Sequence, residues 1–287
     1  MVLEFCNKGT LSDAIQRGWL LSVRDGAPQP GELDLMRALA TAREVAGAME
    51  YLHSQSVLHG DLNGNNILLA GVPLAPEHSD HRGFAAKVAD FGLSRILTPE
   101  NEKIITRTHG TITHMAPEVI TEATHSKAAD VYSFGVVLYE LLSGCKPYHG
   151  MHYAQIVSSI TSGKLLQMLP QQAPDLPSGL LELVAACLAT KPVDRPTFIE
   201  LHMKLRELEE QLAAEQQLML GQQQQVMAEP PQPQPQPQPL QVGNGCSSAT
   251  AAAAAAEAAA AVAAQAGGNA CGCSEQTRAQ AAVVGLQ

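Results

Sequence analysis

Aromatic residues are scarce in this chain, with one Trp, five Tyr and five Phe among 287 residues, so its core has to rest on Leu, Val, Ile, Met and Ala. Clusters of Lys and Arg are missing too. With 28 acidic against 18 basic side chains and a formal charge of −10, the sequence has no means of neutralising a row of phosphates, which excludes an extended nucleic-acid footprint. No stretch reaches about 18 consecutive apolar residues without small or polar interruption, so no membrane span is expected. The alanine run at 251–264 contains Glu257 and is too weakly hydrophobic to serve. A secretory leader needs a cationic segment before an apolar one; MVLEFCNKGT has neither order and reads as a strand leaving a core. The cysteines, Cys6, Cys145, Cys187, Cys246, Cys271 and Cys273, are spaced as neither a disulfide framework nor a paired CxxC metal site. Reduced thiols in a cytoplasmic protein are the expectation.

What is present changes character along the chain. Residues 1 to about 206 are mixed and globular, whereas the end is dominated by Gln, Pro, Ala and Gly. Leu33–His53 carries apolar residues at Leu35, Leu39, Ala42, Val45, Ala46, Met49 and Leu52, the spacing of a helix with one buried face. Val57-Leu58, Ile67–Leu69 and Ala85–Ala89 are short apolar runs and read as strands. Asp130–Leu142 is apolar almost all round, as in a helix at the centre of a core. Further short helices are expected at 152–162 and 179–189, between loops marked by Pro147, Pro170, Pro174 and Pro177. From Phe198 to about Leu218, Leu201, Leu205, Leu208 and Leu212 repeat at four- and three-residue steps. About two heptads are too few for a coiled coil, so a terminal helix packed on its own domain is expected. Beyond it PPQPQPQPQP should form an extended polyproline spacer, and the remainder is low-complexity and disordered in composition.

The chemistry concentrates in VLHGDLNGNNILL, Val57–Leu69, where His59, Asp61 and Asn66 share one polar turn. Asp90-Phe91-Gly92 follows, then Ala116-Pro117-Glu118, then Asp130 at the apolar helix, then Asp194-Arg195-Pro196. In this order and spacing the set resembles the protein kinase signature, in particular the tyrosine-kinase-like group of serine/threonine kinases, over about residues 1–206. The resemblance implies a mainly α (α+β) fold: a protein-kinase-like C-terminal lobe with short β-hairpins at the cleft, the N-terminal lobe missing except for its last strand. It divides the chain into a large lobe with hinge at 1–206, a helical extension at 207–228 and a tail at 229–287.

Roles follow from the resemblance. Asp61 would accept the proton of the substrate hydroxyl, and Asn66 and Asp90 would hold Mg2+ on the phosphates of ATP. Leu3 would be the gatekeeper, the Glu4 carbonyl and Cys6 amide would meet adenine, and Leu68 would form its floor. Thr111, in Gly110–Met115, would bond Asp61, as in kinases that modify Ser and Thr. His59 and Phe91 would stack in the family's hydrophobic spine. Asp130 would anchor the catalytic loop through backbone amides, and Glu118 and Arg195 would form a buried ion pair. The implied partners are ATP and a protein substrate, with a further protein partner through helix 198–218 or the proline-rich tail.

Three features depart from the pattern. Gly60 stands where an Arg is usual, so a phosphorylated loop carrying Thr106, Thr108, Thr111 or Thr113 has no cation beside Asp61 to capture it. Asn63 and Asn65 stand where serine/threonine and tyrosine kinases respectively place a cation, which weakens stabilisation of the transferring phosphoryl group. No glycine-rich GxGxxG stretch or β3 lysine occurs, and the chain begins inside the hinge strand. The expectation is a serine/threonine kinase whose 287 residues alone are inactive; the alternatives are a non-catalytic kinase-like binding module and a tail that carries the function.

Overall fold

The computed structural model describes residues 4–24, 27–73, 82–98, 103–105, 110–165, 167, 169 and 176–228, without side chains at 23–24, 27–31, 220 and 223–228. The chain divides into compact units at 1–229 and 230–287, and every described residue belongs to the first. Leu3, Thr106, Thr108, the three tail cysteines and the proline repeat lie outside the described residues.

Thr10 and Asp13 open the first helix, α1 (Leu11–Gln16), as a capping box: each side chain accepts the other's backbone amide. Two strands follow, β1 (Leu21–Arg24) and β2 (Ala27–Leu33), antiparallel, with Arg24 opposite Ala27. The sequence reading missed this hairpin because Pro28 and Pro30 break the strand pattern. Its signal was Asp25-Gly26, the dipeptide that favours a two-residue hairpin turn. Helix α2 (Leu35–Ser54) starts at Asp34, whose carboxylate accepts from Arg37 N, and buries Ala38, Leu39, Ala42, Val45, Ala46 and Met49 along the expected face.

Strand β3 (Val57–Leu58) precedes the polar turn and β4 (Ile67–Gly71) follows it, yet the two do not pair with each other. Instead β4 pairs with β5 (Phe84–Val88), and β3 pairs with β6 (Arg95–Ile96), both antiparallel. Glu44 of α2 ties this layer down: its carboxylate accepts from both Arg82 Nη atoms and from Ala86 N. Beyond the second polar loop, β7 (Ile104–Ile105) pairs with β8 (Thr124–His125), which follows α3 (Pro117–Glu122).

The second half is helical, with α4 (Lys127–Ser143), α5 (Tyr153–Thr161), α6 (Ser178–Cys187) and α7 (Phe198–Ala228). Helix α4 is the centre of the core: Ala129 to Leu142 is buried at every position except Ser133. Its all-round apolar sequence requires this, since no face is polar enough for water. Burial pushes the Tyr132 phenol up to about 12 and raises the Cys187 thiol, so both act by packing. Helix α7 lies against α2, with Leu201 and Leu205 buried, Leu208 and Leu212 partly buried, and His202 Nδ1 2.6 Å from Glu50 Oε2. The leucine repeat is therefore used within the domain. No described helix is long and apolar enough to cross a membrane.

One expected strand is absent. Glu4–Cys6 is coil, and Glu4 and Phe5 are exposed, because no described strand runs beside them to complete a ladder. Pairing resumes only at Lys8 and Gly9, which exchange backbone bonds with Leu69.

Gly135 fixes how closely α4 and α6 approach. A Cβ at this position would sit 2.7 Å from Cys187 Cβ and 3.0 Å from Leu188 Cδ2. Helix propensity alone favours Ala over Gly by about 1 kcal/mol. We expect the opposite sign here: Gly135→Ala should destabilise the fold by about 1–3 kcal/mol through overpacking. Denaturant unfolding checks this, and a stability equal to or above wild type would show that the helices separate freely.

Candidate active site

The polar turn is built around buried anchors. Asp130, in the first turn of α4, is buried, and its Oδ2 accepts from His59 N at 2.9 Å while Oδ1 accepts from Gly60 N at 2.9 Å. His53 Nε2, at the end of α2, lies 2.9 Å from the same Oδ2. One carboxylate thus joins α2, α4 and the turn. The His59 ring is fully buried; its Nε2 donates to Ala89 O at 3.0 Å, so Nδ1 is the acceptor for Asp61 N at 3.3 Å. Ala89 N in turn donates to Asn66 O at 2.8 Å. The residue before Asp90 is therefore pinned on both sides to the turn carrying Asp61 and Asn66.

Asp61 receives five fixed contacts through three residues. Thr111 N donates to Oδ1 at 2.8 Å, and Asn63 Nδ2 lies 3.1 Å from Oδ1 and 3.0 Å from the Asp61 carbonyl. Asn66 Nδ2 lies 2.8 Å from that carbonyl and 3.2 Å from Oδ2. Two donors saturate Oδ1, so Oδ2 is the oxygen with lone-pair capacity to spare. Gly110 permits the close approach of Thr111, because a Cβ there would lie 2.6 Å from Asp61 Oδ1.

Asn63 differs from its expected part as a missing charge. It is only 2 % exposed, and its amide also reaches Thr111 Oγ1 at 3.1 Å while its Oδ1 accepts from Asn65 N at 2.9 Å. It is a neutral clamp between Asp61 and Thr111, and the sequence held no signal for it beyond the replacement itself. Gly60 also does more than omit a cation. Its φ is +79°, a region L side chains disfavour, and a Cβ would sit 3.0 Å from Leu93 O.

Asn66 and Asp90 suit a hard cation. The Asn66 amide nitrogen is committed to Asp61, which turns its oxygen away from that carboxylate. Asp90, exposed at φ +63°, accepts from Gly92 N through Oδ1 and keeps Oδ2 for a ligand. Two oxygen ligands plus phosphate oxygens and waters match magnesium. Among the described residues no group of three His, Cys, Asp or Glu forms a separate metal cluster.

Other residues singled out by sequence are placed as follows. Phe91 is half exposed, its ring centroid 5.7 Å from that of His59. Arg195 donates to both Glu118 oxygens at 2.7 and 2.8 Å, and to the carbonyls of Ala128, Ala189 and Thr190. Leu68 is partly buried opposite Thr10, Cys6 is a partly buried free thiol, and Glu4 forms an exposed 3.4 Å pair with Lys87.

The family described as protein tyrosine and serine/threonine kinase matches residues 1–205. The chain belongs to the protein kinase family. Among curated relatives it is 37 % identical over 177 residues to mitogen-activated protein kinase kinase kinase 11 of Homo sapiens, covering 61 % of this chain and 20 % of the relative. It is 32 % identical over 205 residues to mitogen-activated protein kinase kinase kinase 12 of Rattus norvegicus, covering 71 % and 20 %. It is also 31 % identical over 198 residues to mitogen-activated protein kinase kinase kinase dlk-1 of Caenorhabditis briggsae. The kinase chain thus spans about a fifth of the length of these relatives. They agree with the tyrosine-kinase-like serine/threonine type that the motifs indicated.

Two outcomes test how this kinase holds its loop. Asp130→Asn puts an amide donor where an amide must be accepted, and should cost about 1–3 kcal/mol, with faster hydrogen exchange at the His59 and Gly60 amides. Gly60→Ala should cost about 1 kcal/mol from its positive φ, read in the same unfolding measurement; exchange or stability matching wild type would contradict the assigned anchors.

Proposed function

We propose that residues 1–206 are the large lobe of a protein serine/threonine kinase that transfers the γ-phosphoryl group of ATP to a Ser or Thr hydroxyl on a protein substrate. One observation carries this reading: Oδ1 of Asp61 is saturated by Thr111 N and Asn63, which leaves Oδ2 to take the hydroxyl proton. General-base help of this kind needs a positioned acceptor more than a strong base, since phosphoryl transfer is governed by alignment and charge. Thr111 supports the choice of Ser or Thr because its segment docks directly on that carboxylate. Asn66 and Asp90 would hold Mg2+, which when bound neutralises the phosphates; the residues themselves fix where the polyphosphate lies relative to Asp61.

Leu68 and the backbone of Glu4 and Cys6 would meet adenine. The free thiols of Cys6, Cys145 and Cys187 support a cytoplasmic setting. None of the 287 residues forms a GxGxxG phosphate loop, and Asn63 brings no cation to the phosphates. These 287 residues by themselves therefore bind magnesium–ATP without appreciable turnover.

Calorimetric titration of the full chain with ATP should show binding that requires Mg2+ and disappears in Asp90→Asn. Binding indifferent to both would overturn the nucleotide site. A separate phosphate-release assay addresses inactivity, and turnover abolished by Asp61→Asn would refute that part while supporting the assigned base.

A further inference from the structure

A cavity that involves none of Asp61, Asn66 and Asp90 lies where the end of α2 meets the first turns of α4 and α7. Its volume is about 390 Å3, inside the range of about 300–1,000 Å3 usual for small-molecule sites. Ala128, Val131, Pro196, Phe198 and Ile199 form its apolar wall. Val131 and Phe198 are buried whereas Ile199 is 57 % exposed, so the hydrocarbon surface extends from the core out to solvent. Concave apolar surface open to water gains free energy when a ligand covers it.

The polar groups around this wall are nearly all committed to one another. Arg195 spends its donors on Glu118 and three carbonyls, and His53 Nε2 lies 2.9 Å from Asp130 Oδ2. Glu50, the one acid lining the cavity, has Oε2 2.6 Å from His202 Nδ1. The Thr197 hydroxyl donates to Glu200 Oε2 at 2.8 Å, and the Ser54 hydroxyl donates to Tyr51 O at 2.7 Å. Lys127 is the exception. Its ammonium has no ion pair and no hydrogen bond among the described residues. The cavity therefore offers hydrocarbon on most sides and a single uncompensated positive charge.

We propose that this cavity is a second ligand site, which takes a medium-chain carboxylate with its alkyl body on Val131, Phe198 and Ile199 and its head on Lys127. A phosphate or other polyanion would meet only one cation and press its remaining oxygens against hydrocarbon, which is costly. One charge on an apolar body fits. The site also reaches the polar turn, because His53 belongs to its lining and packs edge to face on Phe198, with ring centroids 5.0 Å apart. His53 completes the bonding of Asp130, which holds the His59 and Gly60 amides. An occupant that restrains the His53 ring thereby restrains the turn that carries Asp61.

The test is a methyl NMR titration of the full 287-residue chain with octanoate, and with octanol and acetate as the uncharged and bodiless probes. The Val131 and Ile199 methyl signals should move saturably with octanoate and stay in place with acetate. Lys127→Gln should weaken octanoate binding about threefold to fivefold, the size of an exposed ion pair, and leave octanol unchanged. Ile199→Asp should abolish octanoate binding. Both positions are exposed, so both variants should keep wild-type unfolding midpoints. Absence of a saturable shift, or wild-type octanoate affinity in either variant, would overturn the site. With octanoate saturating, hydrogen exchange at the His59 and Gly60 amides should slow by a larger factor than at Leu69, whose amide donates to Gly9 O. An equal factor would overturn the link to Asp130.

Discussion

The Asp130 carboxylate is the constraint on which the rest depends. It lies inside the most buried helix of the protein, where an unpaired charge would be costly, and it is satisfied only by reaching His53 and the amides of His59 and Gly60. Those partners belong to a different helix and to the polar turn. Satisfying one buried charge therefore brings the turn to the core and fixes its path. From there His59 passes the constraint to Asp61 and Ala89, and Ala89 to Asn66, so the three oxygen-bearing residues at 61, 66 and 90 are held by a continuous hydrogen-bonded chain. Arg195 performs a parallel task at the far side of α4, where all its donors are matched by Glu118 and three carbonyls and its guanidinium lies 5.1 Å from the Tyr132 ring centre.

Asn63 and Gly60 show how a loop can change its chemistry without losing its shape. A lysine at 63 would bring charge toward phosphate, but the asparagine instead stays buried and spends its donors on Asp61 and Thr111. The base is well oriented and the charge beside it is gone. At 60, an arginine side chain would have to accept a strained φ, which glycine occupies without penalty. Orientation is thus retained by neutral hydrogen bonds and relaxed backbone.

Periodicity made the long helices readable. The stripe from Leu35 to Met49 and the unbroken apolar run of α4 each have one arrangement that hides their surface, and both formed within a few residues of the expected spans. The leucines of α7 were likewise readable as a face needing cover, supplied by α2. Strands were read less well. Their lengths of two to seven residues leave little pattern, the prolines of β2 concealed a hairpin, and Glu4–Cys6 had strand-like residues but no neighbour to pair with among the described residues. A strand needs a partner, and a single chain pattern does not name it.

For the site, the order of Asp61, Asn66 and Asp90 was sufficient to name the candidate residues and the chemistry they suit, because side-chain type limits what an atom can donate, accept or ligate. Which oxygen of Asp61 stays free, which His59 nitrogen carries hydrogen, and whether Asn63 faces phosphate or the interior were decided only by the fold. Each of those depends on a partner 30 to 50 residues away in the chain. Local sequence sets what a group can do; tertiary packing sets what is left for it to bond.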